Sequence, residues 1–117
     1  SAADVDRARP DAEQLLAVLG ATGAEGCYVY AYDPAAPDVA YARFFNPTVG
    51  LWEDAATGTA AGPLVAYLSA SGILKGRAVT VEQGVKMGRR SLLRVSLAPE
   101  PELSGSGVVI LRGVLRL

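Results

Sequence analysis

Hydrophobic and polar positions follow two different periods along this chain. In residues 11–19, Leu15, Leu16, Val18 and Leu19 recur at helical spacing, with Pro10 suited to a first turn and Gly20 to a C-terminal stop, which predicts a surface helix. Gly23 and Gly26 break that pattern. Residues 27–32 are β-branched and aromatic and read as a strand, Asp33-Pro34 opens a turn, and residues 39–45 read as a second strand. The connection is short, so an antiparallel hairpin is expected rather than a parallel crossover, which needs about a dozen residues.

Between Ala55 and Leu74 there is no charged residue. Ala60, Ala61, Leu64, Val65, Ala66, Leu68 and Ala70 place apolar groups on every side of a helix, the pattern of one buried all round. Gly58, Gly62, Pro63, Ser69, Ser71 and Gly72 interrupt the stretch well short of the roughly twenty apolar residues of a membrane span. A core helix is therefore expected. Residues 78–82, 92–97 and 108–117 then read as strands separated by Gly, Pro and Ser turns, with Gly113 placed to bulge the last. The order predicts a single α+β domain over residues 1–117: a mainly antiparallel sheet curled around one central helix, with every face buried.

Composition removes several function classes. Half of the 117 residues are apolar and the formal net charge is −1, as in ordinary soluble domains. The basic residues are scattered, and the step at Arg89-Arg90 reads as a solvated turn, so no nucleic-acid partner is expected. There is no histidine and one cysteine, which excludes the familiar zinc ligand sets and His-based triads. No metal or cofactor is expected. Cys27 cannot form an intrachain disulfide, and its apolar neighbours predict a buried thiol suited to a reducing cytoplasm. The stretch around Asp4, Asp6 and Arg7 is polar and does not resemble a signal peptide. Processing or truncation is expected to explain a start at Ser1 in a chain whose only methionine is Met87.

The chemistry gathers at residues 44–47 and 50–60, where two carboxylates and two threonines precede or open the central helix. First-turn N–H groups are unpaired and carry positive partial charge, and Gly58 offers no side chain to block an anion, so a substrate carboxylate can dock there. Asp54 lies just before that turn, placed to hold a hydroxyl or amine or to pass a proton. Thr59 can donate to the ligand. The plainer reading is that these residue types simply start helices, with Thr57 or Thr59 as the cap.

Residues 53–60, Glu-Asp-Ala-Ala-Thr-Gly-Thr-Ala, resemble the Glu-Asp-Pro-Ala-Thr-Gly-Ser-Ala signature of PhzF-like phenazine-biosynthesis isomerases. Downstream, Glu82-Gln83-Gly84 and Met87-Gly88-Arg89-Arg90-Ser91 resemble that family's Glu-Gln-Gly and Met-Gly-Arg-Pro-Ser pair. The resemblance implies one half of a diaminopimelate epimerase-like fold, covering the C-terminal domain with the N-terminal half absent. It implies cofactor-free isomerisation of a dihydro-hydroxyanthranilate-type acid. In that family a glutamate of the N-terminal domain shuttles the proton, while the signature's Asp and Ser, here Asp54 and Thr59, contact substrate. Gly58, Thr59 and Ala60 are then the substrate-binding positions, Asp54 the auxiliary catalytic one, and Glu53, Thr57, Gln83 and Gly84 shape the site. Ala55, Thr59 and Arg90 depart from the pattern. Thr57 stands where related epimerases carry a cysteine, which disfavours a two-thiol racemase.

The expected partners are an N-terminal domain of the same protein, a small carboxylate substrate and a second copy in a homodimer, with no membrane. The rival readings are a small-acid-binding module without turnover and a pure assembly domain.

Overall fold

A computed structural model describes residues 1–116, the side chain of Leu51 excepted. The chain opens with α1 (Ala2–Arg7), a turn and a half not foreseen from its polar sequence. Ser1 and Asp4 cap it reciprocally, and it buries only Val5. In α2 (Ala12–Thr22), the Asp11 carboxylate accepts the Gln14 N–H at 2.9 Å. The helix runs through the expected stop at Gly20 and ends at Gly23, whose φ of +68° is the left-handed turn a glycine adopts without strain. Gly20 alone costs a helix about 1 kcal/mol, too little to end it.

The hairpin forms as expected. Strands β1 (Cys27–Tyr32) and β2 (Val39–Asn46) are antiparallel, with Tyr28 opposite Phe44 and Tyr30 opposite Ala42. A four-residue strand, β3 (Leu51–Asp54), returns along the end of β2. Its sequence shows no apolar alternation and was not legible as a strand. After α3 (Gly58–Ala70), β4 (Ala78–Gln83) runs parallel to the start of β2, followed antiparallel by β5 (Ser91–Ser96) and the short β6 (Glu102–Ser104). The sheet order is β1-β2-β4-β5-β6, with β3 also on β2.

The core obeys both periods at once. Ala40 and Ala42, Val79 and Val81, and Leu93 and Val95 alternate inward from three strands. They meet Ala61, Leu64, Val65 and Leu68, one stripe of α3. Two expectations fail here. First, α3 is not buried all round: Pro63, Ala66, Tyr67 and Ala70 stay exposed because the sheet curls without closing. Second, residues 108–116 form no strand, and Gly113 therefore bulges none; Leu117 lies outside the described residues. High β propensity becomes a strand only where an edge pairs with it. At 13 residues α3 is also too short for a bilayer, and among the described residues no helix is long and apolar enough to cross one.

The opposite face of β2 is held by Arg43, which is 5% exposed. Its Nε and Nη2 each donate to Glu53 at 2.8 Å, a two-pronged ion pair. Nη1 donates to the carbonyls of Val5, Asp6 and Ala8 at 3.1–3.2 Å, pinning the C-terminal end of α1, where carbonyls lack helical partners. Tyr41 adds a 2.6 Å bond from its hydroxyl to Asp6 Oδ1. The bond to Glu53 raises the Arg43 pKa further, so the cation persists at any working pH.

Removing one partner of a buried pair strands the other charge. Arg43→Met is expected to lower unfolding stability by about 3 kcal/mol in denaturant titration, whereas a loss below about 1 kcal/mol would mean the pair behaves as an exposed one. Burial and the bond to Asp6 push the Tyr41 pKa up to about 12. The neutral phenol is thus favoured by folding: its contribution is complete below the ordinary tyrosine pKa of about 10 and disappears as pH rises through the folded value. Ultraviolet titration should show a component ionising near pH 12 that Tyr41→Phe removes, while any still later component persists; no change in the late-ionising absorbance of Tyr41→Phe would contradict this.

Candidate functional site

The pleat of β3 separates two adjacent carboxylates. Asp54 pairs with Phe44 and lies on the α3 side, while Glu53 pairs with Phe45 and lies on the Arg43 side. Glu53, read from sequence as shaping the site, is therefore held on the other face of the sheet. Asp54 ends the strand where the chain turns through Ala55 and Ala56 into α3. Its Oδ2 accepts the Thr57 hydroxyl at 2.7 Å.

Gln83, at the end of β4, is fully buried and organises this turn. Its Nε2 donates to the Asp54 carbonyl at 2.6 Å and to Thr57 Oγ1 at 2.9 Å. Its Oε1 accepts the Thr57 N–H at 3.3 Å and the Tyr28 hydroxyl at 2.8 Å. Both donors and both lone pairs of the amide are thus used. Burial and the nearby Asp54 charge raise the Tyr28 pKa, keeping the phenol a donor. Gly84 follows with φ +78°, and a Cβ there would sit 2.3 Å from the Arg89 carbonyl and 2.8 Å from that of Ala55. Glycine lets the β4–β5 connection press against the Asp54 loop.

This network changes the helix start. Thr57 is the N-cap residue, yet its side chain makes no capping bond because its hydroxyl serves Asp54 and Gln83. The Gly58 and Thr59 N–H groups, without helical acceptors, keep the positive end of a 13-residue helix available. Gly58 also has a packing role that the sequence did not show. A Cβ there would meet Leu103 Cδ2 at 2.5 Å, so the glycine admits β6 and borders a separate recess with Arg90, Ser91 and Ser104.

A cavity of about 700 Å³ opens in front of this turn. Asp54, Thr57, Thr59 and Ala60 border it with Pro63, Leu64 and Tyr67 of α3; Tyr28, Tyr30 and Phe44 supply an aromatic wall, and Glu25, Gly26 and Asn46 complete the lining. Tyr28 and Phe44 pack edge to face at 5.9 Å. The structure thus brings Asp54, Thr57, Thr59 and Ala60 together, with Gln83 and Gly84 behind them. Sequence reasoning missed Tyr28, Tyr30, Tyr67 and Glu25. The alternate-residue tyrosines of β1 were the available signal, since period two puts them on one face.

The profile of a family described as phenazine biosynthesis-like protein (PhzC-PhzF) matches residues 1–113. The chain is 43% identical over 82 residues to a trans-2,3-dihydro-3-hydroxyanthranilate isomerase of Pseudomonas fluorescens, covering 64% of this chain and 30% of that protein. It is 30% identical over 117 residues to the uncharacterized isomerase YddE of Escherichia coli K12, covering 92% of this chain and 39% of that one. It spans well under half of these curated relatives. The solved structure of a predicted epimerase from Pseudomonas aeruginosa superposes with a TM-score of 0.59 at 30% identity, covering 92% of this chain and 39% of that one. The curled sheet on a central helix is the fold of that epimerase-like neighbour.

Because Gln83 satisfies groups on three elements, Gln83→Leu is expected to cost about 3 kcal/mol by leaving buried polar groups unpaired, and Tyr28→Phe about 1 kcal/mol. Denaturant unfolding of both variants checks this. A Gln83→Leu effect within about 0.5 kcal/mol would mean water or rearrangement replaces the amide.

Proposed function

The chain belongs to the phenazine biosynthesis-like protein family, and on that premise we propose that its cavity holds a small cyclic carboxylic acid of the dihydro-hydroxyanthranilate type, as one wall of a cofactor-independent isomerase. The observation that carries this reading is the uncapped start of α3: Thr57 is committed to Asp54 and Gln83, so the first-turn N–H groups remain for an anion. The substrate carboxylate docks on that turn with help from the Thr59 hydroxyl. Its ring lies against Tyr28, Tyr30 and Phe44, and Asp54 holds the ring amine or hydroxyl.

The isomerisation itself moves a proton between ring carbons and needs an acid-base group that faces the ring. In this proposal a carboxylate from an N-terminal domain of the same protein supplies it, and the present chain is the C-terminal half. The relatives' greater length supports that division, as does the pairing of Glu53 with Arg43 away from the cavity. The proposal places the reaction in the cytoplasm, where the lone thiol of Cys27, its pKa raised by burial, stays reduced.

Anthranilate is a stable probe of this reading. Titrated into the 117-residue chain, it is expected to shift the amide resonances of residues 57–60 with millimolar affinity, and Asp54→Asn with Thr59→Val should weaken binding about tenfold. No turnover of the dihydro-hydroxy acid is expected from the chain alone. Absence of shifts around the start of α3 would refute the site, and turnover by the isolated chain would refute the division of labour.

A further inference from the structure

A hydroxyl carries one proton, so a chain of hydrogen bonds through hydroxyls has a direction. In front of α3 that direction is fixed by the backbone. The Gln83 amide meets the Asp54 carbonyl at 2.6 Å and the Thr57 N–H at 3.3 Å. Turning the amide over would set acceptor against acceptor and donor against donor, so Nε2 faces the carbonyl and Oε1 the N–H. Tyr28, whose oxygen lies 2.8 Å from Oε1, must therefore donate its proton to Gln83. Thr57 Oγ1, 2.9 Å from Nε2, must accept, and its own proton goes to Asp54 Oδ2 at 2.7 Å.

The consequence for the cavity is an acceptor-rich end. Tyr28 stays protonated, since burial and the Asp54 charge raise its pKa, yet that proton is committed to Gln83. Towards a ligand its oxygen offers only lone pairs. Asp54 keeps Oδ1, which accepts a long 3.4 Å bond from the Ala56 N–H. Both residues border the cavity, and among the described residues no lysine or arginine does. The donors lie at the start of α3, on the Gly58 and Thr59 N–H groups.

We propose that Tyr28 is a specificity-determining residue: with Asp54 it forms an acceptor pair that selects an amine, and rejects a hydroxyl, on the ring carbon next to the ligand's carboxylate. This rests on the ligand reading given above and narrows it. In such an ortho acid one N–H or O–H bonds internally to the carboxylate. An amine keeps a further N–H for the acceptor pair, whereas a hydroxyl has none left and turns its lone pairs toward them. A site built to accept a donor discriminates against an analogue without one, because its own polar groups are then left unpaired.

Anthranilate and salicylate differ only in that group, and each is titrated into the 117-residue chain with the amide shifts of residues 57–60 as the readout. Anthranilate should bind at least about tenfold more tightly, and Tyr28→Phe should reduce that preference to about threefold or less. A purely structural effect of the substitution would weaken both acids alike and leave the ratio unchanged. Equal affinities in the unaltered chain, or a ratio that Tyr28→Phe does not move, would overturn the inference and leave the anion dock standing. If neither acid shifts residues 57–60, the dock itself is refuted and this inference with it.

Discussion

A primary amide has two donors and two acceptor lone pairs, and burying one obliges the protein to satisfy all of them. Gln83 meets that obligation by tying the end of β4 to the Asp54–Thr57 loop and to Tyr28 of β1. Three segments distant in sequence are thereby held in one arrangement. Unpaired groups in this interior would cost more than the bonds contribute, so the network also specifies the geometry.

The site inherits its character from that constraint. A threonine before a helix ordinarily caps it, but here the hydroxyl is turned toward Asp54 and the Gln83 amide. What remains is an open helix start beside a carboxylate and an aromatic wall. Strand pleating selects which carboxylate faces that space: neighbouring residues on β3 point to opposite faces, so Asp54 joins the cavity while Glu53 locks Arg43 under α1.

The same sheet explains why the chain is structurally unsaturated. Six strands curl around α3 without meeting, leaving β1 and β6 as edges and part of the helix in water. The proposed ligand cavity lies against this incompletely covered helix.

Local pattern was enough to identify the hairpin, α3, β4 and β5, because each has a strong period of its own, and the signature at residues 53–60 located the helix start. It did not reveal β3 or β6, which are too short to show a period, nor the capped turn of α1. It also overstated the burial of α3, since composition says what a helix can bury and only the number of strands says what is available to cover it. Gln83 was legible as part of a motif, but its four bonds were not, because its partners lie 26 to 55 residues away. The strand expected over residues 108–116 likewise does not form, whatever their propensity. Sequence determined that these residues favour an extended, covered state; tertiary structure decided that no edge among the described residues pairs with them, because strand formation requires a neighbour and propensity cannot supply one.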